Sequence, residues 1–158
     1  MRRSPAAGRS EEPDFLNSCE PRLAWLYRYW DERRRGRIGP RRADIDPVDF
    51  PALLSCILLI DVRHDPLDFV YRVVGTEEVR RRRQDPTGQR ISTHYYGPNR
   101  EDAVGCYTAV CESRRPLYDP RPYRTEFGGY SDEETLFLPL SEDGRRVSQV
   151  LVLACRAD

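Results

Sequence analysis

Lysine is missing from this chain: all 26 of its basic residues are arginine. That reads as a coding preference, and it makes every strongly basic side chain a guanidinium. No apolar run approaches the ~20 residues needed to cross a bilayer, which excludes a membrane-spanning helix. No apolar stretch follows Arg2 and Arg3, so the N-terminus does not read as a secretory signal. Five cysteines are present, Cys19, Cys56, Cys106, Cys111 and Cys155, with no CxxC pair. An odd count without a signal predicts reduced thiols and a cytoplasmic location, and it excludes a disulfide framework. Cys56 and Cys155 sit in apolar runs and are expected to fill core. A Gly-rich phosphate loop and a metal-spaced cluster are both lacking, so no metal site is expected.

What is there describes one domain. A chain of 158 residues buries roughly 68–70% of its unfolded surface, enough for a core without staples. Hydrophobic residues make up 39% and charged residues 33%, as in a highly charged globule. Net charge is zero but unevenly placed. Residues 1–42 hold 11 Arg against 6 acidic residues, net +5, and the remainder balances them at −5. Such asymmetry aids association of like subunits or docking to an acidic partner. The acidic residues in the N-terminal arm dilute its charge, so nucleic acid is not an expected partner.

Along the chain, residues 1–13 are Arg, Ser, Gly, Glu and Pro, and are expected to be a disordered arm. Leu16, Cys19, Leu23, Leu26 and Trp30 then step by three and four, widened by Tyr27. This predicts an amphipathic helix over residues 14–36, stopped at Gly36. Trp25 and Tyr29 lie off that stripe, so a second large face also needs cover. Residues 55–62 and 69–74 read as strands joined by a turn at His64–Leu67. Within 69–74, period-two alternation puts Phe69, Tyr71 and Val73 on one side. Thr76 is the expected cap of a short Arg-rich helix ending before Asp85-Pro86-Thr87-Gly88. Residues 92–98 read as loop, and Asn99 is expected to cap a helix running to about Ser113. Residues 121–127, 134–140 and 146–155 read as the last three strands, with Pro139 at an edge or bulge.

Four phrases in this order resemble a small bacterial PAS subfamily: RADIDPVDFPALLSCILLIDV (42–62), DFVYRVVGTEEV (68–79), DPTGQRI (85–91) and LFLPLSEDG (136–144). The resemblance covers most of the chain beyond Arg42. It implies an α+β fold over residues 41–157: a five-stranded antiparallel sheet with helices on one face. The runs Ile57–Ile60 and Val150–Leu153 are apolar on both faces, so the N-terminal helix is expected to cover the other. The resemblance also implies a sensor or interaction module and not an enzyme. A haem-binding relative would need an axial ligand. His64 falls in a hairpin and His94 in a loop, and no haem is expected. Flavin photosensing in this superfamily uses an Asn-Cys-Arg-Phe run after a Gly-Arg pair. Gly88-Gln89-Arg90 leads into Ile91 and Ser92 instead, so no cofactor is expected.

Two functional surfaces follow. Homodimerisation through the N-terminal helix would use Leu16, Cys19, Leu23, Leu26, Tyr27 and Trp30, with output passed to a downstream signalling protein. The alternative is a small-molecule sensor with a pocket between sheet and helices, lined by Tyr71, Val73, Tyr95, Tyr107, Cys111, Tyr123 and Leu138. Arg124 could offer a charge there. Cys106 with His94 as base is the one nucleophile pair within sequence reach. The run Arg80–Arg83 points all round its helix, so one or two are expected to meet acidic neighbours and the others water.

Overall fold

The computed structural model describes residues 13–95, 99–121, 123–124 and 130–156, with 123–124 and 130–131 as backbone alone. The expected disordered arm therefore lies, but for Pro13, outside the described residues. Pro13–Asn17 forms a 3-10 turn and α1 spans Pro21–Arg34. The single helix expected over 14–36 is thus two pieces. The break has a local cause. Pro21 lacks an N–H and sits at the first helical position, where none is needed, and the Glu20 carboxylate accepts from Arg22 N at 2.8 Å to cap the new start. Arg35 turns left-handed at φ 51° and Gly36 follows at 75°, ending the helix.

Three 3-10 turns, Arg42–Asp44, Pro47–Asp49 and Pro51–Cys56, lead into β1 at Ile57–Arg63. β2 is Asp68–Val74 and α2 is Thr76–Arg82. The α2 cap is Gly75 and not Thr76. A Cβ on Gly75 would stand 2.4 Å from the Ser55 carbonyl oxygen, so the close approach of the 51–56 turn requires glycine there. α3, Ile91–His94, adds one turn where a loop was expected. α4 is Arg100–Ser113, capped as expected by Asn99, which accepts from Asp102 N at 3.0 Å.

β3 is Leu117–Asp119, and β4 (Tyr123–Arg124) pairs β5 (Tyr130–Ser131) as a small ribbon. β6 is Glu133–Leu140 and β7 is Gln149–Arg156. The main sheet is antiparallel throughout, in the order β2-β1-β7-β6-β3. The third sheet strand was expected at 121–127. It starts earlier, directly after Pro116, and part of 121–127 lies outside the described residues. Pro139 falls beyond the end of short β3, where β6 has a strand neighbour on one side only. Its carbonyl accepts from Trp30 Nε1 at 2.8 Å.

Alternation along the strands sorts the core into two layers. Leu59, Leu136, Leu138, Leu140, Leu151 and Leu153 face α1. Leu58, Ile60, Phe137, Val150 and Val152 face α2–α4. The N-terminal segment covers its own sheet: Leu23, Leu26 and Trp30 are buried there, with Leu16, Cys19 and Tyr27 packed at the margin. The six residues expected at a dimer interface are therefore taken up within one chain. Tyr29 is also satisfied internally. Its hydroxyl donates to Asp49 Oδ2 at 2.6 Å and its ring meets Phe50 edge-on. Trp25 stacks on Tyr29 yet stays 45% exposed.

Candidate functional site

Between the sheet and α2–α4 lies a cavity of about 370 Å³, within the range of small-ligand pockets. Its apolar wall is Leu58, Phe137, Val152 and Ala154 from the sheet. Tyr107 on α4 meets Phe137 edge to face at 5.3 Å and 87°. Burial pushes the Tyr107 phenol well above its ordinary value, and the nearby Tyr71 adds to this, so Tyr107 stays protonated.

Two polar clusters interrupt this wall. The first comes from α2. Glu78 and Arg82 are four apart, a helix spacing that pairs them, and Arg82 Nη1 lies 2.7 Å from Glu78 Oε2. Burial works against the Arg82 charge, but Glu78 and Tyr71 outweigh it and hold the pKa above its usual range. Arg81 reaches Glu133 at the start of β6, which is 2% exposed. The run Arg80–Arg83 is thus divided. Arg80 and Arg83 face water, while Arg81 and Arg82 neutralise buried carboxylates that would otherwise be costly.

The second cluster lies near the mouth. Arg121 Nη2 stands 3.0 Å from both Asp102 Oδ2 and Asp119 Oδ2, and Arg121 Nε is 3.0 Å from Asp119 Oδ1. Its hydrogen bond to Asp119 raises the Arg121 pKa, against the effect of burial. Cys106 Sγ is 4.0 Å from Asp119 Oδ2. Oxygen and sulfur atoms of Asp102, Cys106 and Asp119 all lie within 4.8 Å of one another, a spacing that suits a cation.

Of the expected pocket residues, Tyr95 and Tyr107 line the cavity. Tyr71 is buried in the same layer and Cys111 packs at its edge, both outside the lining. Val73 and Leu138 are on the other side of the sheet. For Val73 the cause is a bulge: Ile60 pairs Tyr71 but Leu59 pairs Val73, so Arg72 is the extra residue and reverses the alternation after it. Leu138 follows the same face as Leu136 and Leu140, under α1. The side chains of Tyr123 and Arg124 lie outside the described residues. His94 does not line the cavity that Cys106 borders, and its Nδ1 is 2.8 Å from Thr93 Oγ1. His64 is held by the Val147 carbonyl at 2.8 Å. The charged lining residues were not anticipated, although the Glu78–Arg82 spacing was a readable signal. Asp119 and Arg121 are two apart and meet locally, but nothing local marks Asp102 as their neighbour, because α4 and β3 meet only in the fold.

No curated protein matches the chain. Among solved structures it is similar to a light-oxygen-voltage domain studied with a flavin analogue, with a TM-score of 0.52 and 13% identity over 70% of this chain and 83% of that one. An RNA-binding light-oxygen-voltage receptor is also similar, at a TM-score of 0.45 and 13% identity, over 74% of this chain and 35% of that one. The strand order, the two-layered core and a family match over residues 19–154, which takes in α1, agree: the chain belongs to the PAS domain family of signalling modules.

Proposed function

We propose that this chain is a cytoplasmic sensor that binds a small molecule in the cavity between sheet and helices, with no catalytic step of its own. The cavity carries this reading: an apolar wall with a few convergent polar groups is the usual form of a ligand site. Commitment of those groups to one another, Glu78 to Arg82 and Asp119 to Arg121, suits recognition better than turnover. Free cysteines, Cys106 among them, suit a reducing compartment. Native mass spectrometry of the protein from its own host should show a retained small molecule. Adding that molecule to ligand-free protein should raise Tm. Protein that carries nothing, and whose Tm moves with no compound of a metabolite library, would refute the sensor reading.

Association with a second copy is a second reading, favoured by one observation. Trp25 lies on the outer side of α1 at 45% exposure, with its ring 6.4 Å from that of Phe50. In this reading Trp25, and not the six stripe residues packed on the sheet, makes the contact, and a partner signalling protein reads the pair. Light scattering should then show a dimer that Trp25→Glu converts to monomer. A wild-type monomer at micromolar concentration removes the idea.

A further inference from the structure

We propose that the ligand of this cavity is a small organic cation, an ammonium or guanidinium head on an apolar body, whose head replaces the Arg121 guanidinium between Asp102 and Asp119. This rests on the sensor reading and adds the chemical class. Four carboxylates border the cavity, Glu78, Asp102, Asp119 and Glu133, against the guanidiniums of Arg82 and Arg121 among the described residues. Arg81, which is not among the lining residues, pairs Glu133 and still leaves one negative charge in excess.

Both guanidiniums already have carboxylate partners. Arg82 Nη1 is spent on the side chain and, at 3.1 Å, the carbonyl of Glu78. Arg121 uses Nε and Nη2 on its two aspartates. An anionic ligand would meet guanidiniums already neutralised by carboxylates, and a net excess of negative charge around them. A cation meets complementary charge and aromatic rings at Tyr95, Tyr107 and Phe137, which favour it further.

The mouth already shows the geometry. Acceptors each about 2.9 Å from one tetrahedral nitrogen stand about 4.7 Å apart. Carboxylate oxygens of Asp102 and Asp119 lie within 4.8 Å of one another. Arg121 Nη2 bridges the two aspartates, at 3.0 Å from each. Arg121 is therefore a resident competitor. Its side chain is 41% exposed, so a guanidinium displaced from the aspartates stays hydrated. The apolar floor of Leu58, Val152 and Ala154 would take the body of the ligand.

The test is isothermal titration of the full chain with hexylamine and with hexanoate, which share a body and differ in the sign of the head. Hexylamine should bind and hexanoate should not. Arg121→Ala should tighten hexylamine about tenfold by removing the competitor, and Asp119→Asn should weaken it about tenfold. If Asp119→Asn fails to fold, Arg121→Ala decides alone. Preference for hexanoate, or weaker amine binding in Arg121→Ala, overturns the proposal. So does binding of zinc chloride alone with no binding of amine. If neither hexyl compound binds, the cation proposal fails. A retained metabolite of another class would then keep the sensor reading, and the absence of any would end both.

Discussion

Glu133 and Glu134 are consecutive on β6, so their side chains leave opposite faces of the sheet. Glu133 meets Arg81 of α2 on the cavity side. Glu134 accepts from Glu20 N at 2.8 Å and from the Tyr118 hydroxyl at 2.7 Å on the α1 side. One dipeptide thereby ties the cavity wall to the entry of α1. Cys155, paired across the strands with Glu134, shares the α1 side, and burial pushes its thiol from 9.0 up to about 12. A raised folded pKa disfavours the thiolate in the native state. The stability it contributes is fully present below the unfolded value near 9 and is lost as pH rises towards 12. Wild type should therefore lose stability between pH 9 and 12 more steeply than Cys155→Ala, as read by urea unfolding at successive pH values. Equal slopes would show that the thiol does not titrate as its burial demands. In the folded protein at pH 8 this thiol should also resist alkylation, since the thiolate is the nucleophile.

At the scale of elements, what the sequence reveals depends on how local the cause is. The apolar stripe of α1, the cap at Asn99 and the two-sided greasiness of β1 and β7 are written in neighbouring residues, and each appears as expected. The sheet's need for cover on both faces follows from those runs alone, and α1 supplies it. The misplacements have non-local causes. The bulge at Arg72 arises where β2 pairs β1, and no residue in 69–74 announces it. It turns Val73 away from the cavity. β3 is three residues long and is recruited by Leu136 and Phe137 of β6, so its place was hidden behind the stronger β-pattern at 121–127. The Arg80–Arg83 run shows the same limit. It predicts that one or two arginines meet acidic neighbours, as Arg81 and Arg82 do, but it does not name Glu133, some fifty positions away, as one of them.

At the scale of the molecule, the sheet stands between two helical layers with different duties. The α2–α4 layer leaves a cavity with paired charges, while the α1 layer is closed by aromatic packing. Phe15 stacks on Tyr118 at 4.5 Å and Tyr27 adjoins Trp30 at 5.6 Å. Fully burying a Leu or Phe side chain is worth about 1.5–3 kcal/mol, so Phe15, Leu23 and Leu26 together contribute on the order of 5–9 kcal/mol. A whole domain of ordinary stability has only about 5–15 kcal/mol. Residues 13–36 are therefore an integral layer of the domain, and the family match that takes in α1 agrees. Residues 41–158 alone should fail to fold, showing no cooperative thermal transition and aggregating on size-exclusion with light scattering. Supplying residues 13–36 as a separate peptide should partly restore the transition, because the uncovered leucine face is its complement. A truncated chain that is monomeric, soluble and unchanged in Tm would mean that α1 rests on the sheet without supporting it. The coupling of Glu133 to Glu134 would then have nothing on the α1 side to act on.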